Sequence, residues 1–262
     1  MKQAPVIPQA PYDLSDEPKR AHRLSVGLAR SALVVEDAQR LRFKVFAEEL
    51  GAQIKSDAGL DVDEFDAHCD HIVVRDRDTL RVVGTYRVLP PHAARAIGRL
   101  YSESEFDLRR LDHLRPAMIE VGRSCVHRDY RSGPAIMLLW AALARYMKTN
   151  GYRYLVGCAS TPLADGGMRA AFVRDSVQRH LTPPEYRVFP HLRFPHEQIA
   201  RVGYGELPPL IKGYLRLGAH VCGEPAWDPA FNTADFPVLL ALDRLERRYA
   251  RHFDLLAETA DN

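Results

Sequence analysis

The chain has 262 residues, 46% of them hydrophobic and 27% charged. That balance excludes collagen-like, coiled-coil and wholly disordered architectures, and the length permits one or two domains with a core that needs no disulfide or metal staple. Lys and Arg number 36 against 34 Asp and Glu, a net charge of only +2, which argues against a nucleic-acid-binding protein, because neutralising many phosphates takes a larger basic excess.

Residues 1–24 carry Pro5, Pro8, Pro11 and Pro18 among polar residues and are expected to form a flexible arm. Leu24 to Leu33 predicts a first strand. Glu36 to Leu50 places Ala38, Leu41, Val45 and Leu50 at helical spacing, and Gly51 supplies a stop. Residues 55–66 form a polar, acidic loop. His71–Arg75 and Leu80–Leu89 are β-branched and aromatic around a short turn, the signature of an antiparallel hairpin. Residues 92–116 read as irregular or helical, and Met118–Val126 as another strand. A turn rich in Arg, Ser and Gly (127–134) leads into the most apolar predicted helix, Ala135–Thr149, which stops at Asn150 and Gly151. Tyr154–Ala159 predicts a buried strand, Met168–His180 a helix and Tyr186–Phe189 a short strand. Pro208–Gly218 predicts a short helix, 222–235 a loop and Phe236–Leu242 a last strand. Arg244–Leu256 reads as an amphipathic helix with Leu245, Tyr249, His252 and Leu256 on one face.

Hairpin connections argue against an all-parallel sheet. Neither a G-x-G-x-x-G run nor a P-loop motif is present, which removes nucleotide-dependent dehydrogenases and P-loop enzymes. No stretch approaches the ~20 apolar residues of a membrane span, and the opening MKQAP lacks an apolar signal core. Cys69, Cys125, Cys158 and Cys222 show no C-x-x-C spacing. The expectation is a reduced, cytoplasmic protein.

Several residues have the chemistry of a site. Glu120 lies among Met118, Ile119 and Val121. Desolvation there would raise its pKa and suit a general base; the alternative is an edge-strand glutamate facing water. Arg128, Arg131, Ser132 and Gly133 precede an apolar helix, and free N–H groups at a helix start can cradle an anion. Asp63, Asp66, Asp70, His68 and His71 match no standard zinc or calcium spacing, so a hydrogen-bonding loop and no metal is expected. Ser160 lacks the G-x-S-x-G elbow of a serine hydrolase.

Taken together, the order of elements resembles the GNAT acyltransferase fold. Within it the chain resembles the acyl-homoserine-lactone synthases and, more closely, the ornithine N-acyltransferases of ornithine-lipid synthesis. The shared motifs are Arg42-x-x-x-Phe46, Asp63-x-x-Asp66, Arg87 and Glu120-x-x-Arg123. Longer stretches favour the ornithine side, among them LRFKVFAEELGA (41–52), DEFDAHCDHIVVRD (63–76), EVGRSCVHRDYRSG (120–133) and LPPLIKGYLRLGAHVCGEPAWDPAFNTADF (207–236). The region from 207 onward is expected to separate this chain from the lactone synthases. The implied fold is α/β (α+β): a mixed, largely antiparallel sheet flanked by helices. One elaborated domain over 25–262 would include the extension 207–262.

The resemblance implies transfer of a long-chain, 3-hydroxylated acyl group from acyl carrier protein to the α-amine of L-ornithine, with no cofactor besides the carrier's phosphopantetheine arm. The loop Arg131-Ser132-Gly133 matches the usual pyrophosphate loop only in part, which favours carrier protein over coenzyme A. Glu120 would be the base, and backbone N–H groups near Ser124 to Val126 would face the oxyanion. Arg42, Arg87 and Arg123 are candidates for the substrate carboxylate, Asp63 or Asp66 for the side-chain ammonium, and Ser160 for the acceptor side. Arg128, Arg131, Ser132 and Gly133 would take the donor. Arg109, Arg110 and Arg115, with Arg128 and Arg131, are expected to dock the acidic carrier. The basic face of the last helix offers peripheral contact with the inner membrane, against the alternative of plain packing on the core. Acylation of another amino acid, lactone-synthase-like chemistry and a non-catalytic acyl-carrier or lipid-binding module are the competing readings.

Overall fold

A computed structural model describes residues 23–131, 134–199 and 206–244. The expected N-terminal arm, Ser132 and Gly133, and nearly all of the last predicted helix lie outside these residues. β1 (Leu24–Leu28) is shorter than expected, because Ser31 caps a helix instead: its Oγ accepts from the Val34 N–H and α1 (Ala32–Phe43) begins. α1 continues as a wider π-helical turn, Lys44–Glu49, and Gly51 at φ 77° follows as the stop. β2 (Asp70–Asp76) and β3 (Val82–Leu89) form the expected antiparallel hairpin. Pro91 opens α2 (Pro91–Ile97). Two 3-10 segments, Tyr101–Ser104 and Arg109–Ala117, flank the short β4 (Phe106–Asp107).

β5 (Met118–Val126) leads through the turn to α3 (Ala135–Asn150) and back to β6 (Tyr154–Pro162). α4 (Met168–Ser176) is followed by β7 (Phe189–Pro190), which pairs with β4. α5 (Pro209–Arg216), β8 (His220–Val221), β9 (Ala226–Asp228) and β10 (Thr233–Ala241) complete the described chain. The predicted loop 222–235 thus contains β9 and the start of β10. Hydrophobic patterning passes over that start because Thr233 and Asp235 are polar strand residues.

The main sheet runs β1-β2-β3-β5-β6-β10-β8, with β9 also on β10. Every pairing is antiparallel except β5 with β6, and α3 is the crossover a parallel pair requires. Apolar side chains cover both faces. Ile72, Val83 and Ile119 pack with Leu139 and Leu143 of α3 in one cluster. Leu89, Met118, Val156 and Leu239 pack with Leu108 and Leu111 in another. Gly213 of α5 sits against the Trp140 indole, where a Cβ would overlap the ring.

One irregularity positions the site. β5 and β6 pair only from Met118↔Tyr154 to Val121↔Gly157, although both strands continue. At the last pair the strands touch: a Cβ on Gly157 would lie 2.4 Å from the Val121 carbonyl oxygen. Just beyond, Arg123 adopts φ 50° and the β3 register steps from Arg87↔Gly122 to Thr85↔Cys125. This bulge turns β5 away, while β6 stays paired with β10 over its whole length. A V-shaped gap opens between β5 and β6. No helix among the described residues is long and apolar enough to cross a membrane.

Candidate active site

A cavity of about 270 Å³ fills the gap. β5 contributes Glu120 and Arg123, β6 contributes Cys158 and Ser160, and Asp228 and Asp235 come from β9 and β10. Glu120 is 5% exposed, because β5 is an interior strand; the water-facing edge alternative does not hold. Its Oε2 accepts from the Tyr101 N–H at 2.6 Å and its Oε1 from the Ser102 N–H at 2.7 Å. These are free N–H groups at the start of a 3-10 turn. Burial pushes the Glu120 carboxyl up, and these hydrogen bonds and the nearby Arg87 charge only partly offset it. The net shift is upward, the direction a general base at neutral pH needs.

Arg42, Arg87 and Arg123 converge on Asp61, Asp63 and Asp66. Arg42 is 0% exposed. Its Nε donates to Asp61 Oδ2 at 2.8 Å and its Nη1 to Asp66 Oδ1 at 2.6 Å. Its Nη2 donates to the Asp61 carbonyl and to Asp66 Oδ2. Arg87 Nη1 donates to Asp63 at 2.6 Å and Asp66 at 3.0 Å. Burial opposes the Asp66 charge, yet the hydrogen bonds and charge of Arg42, with Arg87, hold its carboxyl below the usual range. Of these residues only Arg87 and Arg123 line the cavity. Arg42, Asp63 and Asp66, expected as substrate contacts, do not line the cavity, and their charges are paired with one another and with Arg87, Arg123 and Asp61. Arg123 lies between the Tyr101 and Phe231 rings, at 4.8 and 4.6 Å, and ion-pairs with Asp61 at 3.2 Å and Asp63 at 3.3 Å.

On the opposite wall the charges are unbalanced. Glu105 and Asp235 were missed in the sequence, as were Asp228, Cys158 and the backbone clamp from Tyr101 and Ser102. The ligating atoms of Glu105, Cys158 and Asp235 lie within 4.8 Å of one another, the one such group of three among the described residues. Burial and the adjacent Asp235 raise Glu105 to about 10. Burial likewise raises Asp235 and pushes the Cys158 thiol up. A polar strand residue two positions from Thr233 was the available signal, hidden inside a segment that reads as a loop.

The donor-side residues are partly engaged. Arg131 donates to the Val126 carbonyl at 3.0 Å and to Glu49 at 2.6 Å. Arg128 is exposed and 3.8 Å from Asp129. The arginines expected to dock the carrier fall into two groups along the chain. Arg109, Arg110 and Arg115 precede the start of β5, and Arg128 and Arg131 follow its end, about 26 Å away at the rise of an extended strand. Arg109 pairs with Asp107, and Arg115 with Glu103 and Asp112. Arg128 and Arg131 are the pair at the splayed end.

Fold and cleft define an acyltransferase of the GNAT class, and residues 41–141 match the acetyltransferase (GNAT) domain family. A coenzyme A-dependent acyl-homoserine lactone synthase has the same fold, with a TM-score of 0.54 at 17% identity over 91% of this chain and 90% of its own. So little of the chain stays uncovered that the block after 207 belongs largely to the shared fold and does not separate the two groups. Sequence does. The chain is 36% identical to the L-ornithine N(alpha)-acyltransferase of Rhizobium meliloti, over 91% of this chain and 87% of that one. It is 35% identical to that of Brucella abortus, over 89% and 90%. The chain belongs to the L-ornithine N(alpha)-acyltransferase family.

Proposed function

We propose that this protein transfers a (3-hydroxy)acyl group from acyl carrier protein to the α-amine of L-ornithine, giving a lyso-ornithine lipid. The observation that carries this reading is Glu120, buried and clamped in the cleft wall where β5 and β6 part. An ammonium has no lone pair, so Glu120 takes a proton from the α-ammonium, directly or through water. The neutral amine attacks the thioester carbonyl. Past Val121, β5 has no β6 partner, and backbone N–H groups from Ser124 onward are the donors for the oxyanion. Collapse forms the amide C–N bond and breaks the C–S bond. The second amine proton leaves with the phosphopantetheine thiol.

Arg123 is the arginine placed to meet the acceptor carboxylate, and Ser160 borders the acceptor side. Arg128 and Arg131, at the splayed end, are the carrier-protein contact; Ser132 and Gly133 would join them. The compartment proposed is the cytoplasm; nearly all of the predicted last helix, with its basic face, lies outside the described residues. The test is purified protein with hydroxyacyl carrier protein and a panel of amino acids, read by mass spectrometry. N-acyl-ornithine is expected. Transfer to another amino acid in preference overturns the acceptor, and no transfer at all overturns the reading.

A further inference from the structure

The β10 side of the cleft holds carboxyl groups that have no ion-pair partner among the described residues, with only the charge of Arg123 acting on them from nearby. Asp235 is 5% exposed and lines the cavity. Its Oδ1 accepts from the Thr233 hydroxyl at 2.7 Å, and Ser160 is its cross-strand neighbour on β6. Asp228 lines the same wall; its Oδ1 accepts from the Ala230 and Phe231 N–H groups, bonds that leave Oδ2 out. Glu105 touches Asp235 but is not part of the wall. Both its carboxyl oxygens are buried, and no hydrogen-bond donor among the described residues reaches either.

Two carboxyl groups in contact, one of them without a donor, require either a shared proton or a cation. Burial and mutual repulsion keep the proton there while the cleft is empty. A primary ammonium supplies what the wall lacks: three N–H donors and a positive charge. The distance to the chemistry is short. Glu120 Oε1 accepts from the Ser102 N–H, the Ser102 hydroxyl is 3.6 Å from Cys158 Sγ, and Cys158 in turn adjoins Asp235.

We infer that Asp235 and Asp228, with Glu105 behind Asp235 as a positioning residue, bind the side-chain ammonium of a diamino-acid acceptor and so set acceptor specificity. This rests on the proposed N-acyl transfer and adds what that reading leaves open: which side chain is read, and by which groups. Binding exchanges charge without covalent change. The ammonium enters with its three protons, and the proton shared by Glu105 and Asp235 leaves to solvent. The other groups facing the pair are Asp228, Arg123, Cys158, Ser160 and Thr233.

The experiment compares L-ornithine with L-norvaline, which has the same carbon chain and no side-chain amine. The wild type is expected to favour ornithine by about 100-fold or more in kcat/KM, since a site built for a polar group rejects the analogue that lacks it. Asp235→Asn should lower kcat/KM for ornithine far more than for norvaline and so remove most of that preference, with an unchanged Tm showing that the variant folds. Glu105→Gln should raise the KM for ornithine more than it lowers kcat, and should abolish proton release, read by calorimetry in buffers of different ionisation enthalpy. Equal losses on both acceptors, or a wild type that does not discriminate, overturn the inference. If no amino acid is acylated, the functional reading fails on its own. Calorimetric binding then still decides: preference for ornithine upholds the acidic subsite, and equal affinity removes it.

Discussion

On the β3 side of the cleft Arg42, Arg87 and Arg123 face Asp61, Asp63 and Asp66, and charge is matched within the protein. On the β10 side Glu105 and Asp235 face each other, with Asp228 nearby, and no donor among the described residues reaches Glu105. The first region is complete without a ligand. The second is not. Charged residues near a site therefore divide by whether their partners are already inside the protein: of the matched set Arg123 is the one proposed to meet substrate as well, and the unmatched set is left for a ligand to complete.

The largest expected effect breaks the matched region. Arg42→Met takes the buried partner from Asp61 and Asp66, leaving each with one arginine, Arg123 and Arg87, and should cost about 3–5 kcal/mol of unfolding free energy in urea. A loss below about 1 kcal/mol would show that the network is not closed as described. Next, Glu120→Gln, between the two regions, should lower turnover at neutral pH by about 100-fold or more with little change in Tm. Wild-type turnover in a folded variant would remove the base.

The two regions should also respond to pH with opposite sign. Asp66 has a depressed pKa, so its contribution is present above about 4 and is lost as pH falls through the folded value. Glu105 is raised to about 10, so its contribution is present below about 4 and is lost as pH rises through that value. Glu105→Gln should therefore raise Tm relative to wild type more at pH 8 than at pH 5. A Tm difference that does not vary with pH would break the comparison. The smallest effect concerns docking. Arg128→Glu should raise the KM for carrier-bound donor a few-fold, and Arg109→Glu should leave it unchanged.

The sequence made most of the β-structure legible, because the strands from His71 to Val126 and the helix from Ala135 are strongly apolar and periodic. Strand order and the place of β10 between β6 and β8 were not legible, since pairing partners leave no local pattern. Glu120 was visible as a carboxylate in an apolar run. The pairing of Arg42 with Asp61 and Asp66 was not, because residue types cannot say which charges will cancel. The resemblance brought Arg42, Asp63 and Asp66 forward as substrate contacts, yet the same spacing serves a buried ion network. Asp228, Thr233 and Asp235 stayed hidden for the reverse reason: polar residues near Pro225 and Pro229 read as a loop.

The place of β10 also bears on how the chain is made. β6 is complete at Pro162, but its antiparallel neighbour begins only at Thr233. At about 5–20 residues per second, a ribosome needs several seconds to cover that interval. Throughout it, one edge of β6 carries Leu155, Val156 and Ala159 beside unpaired backbone groups. Such an edge templates association with other chains, so the nascent protein has a window of aggregation risk that closes when the cleft wall is laid down.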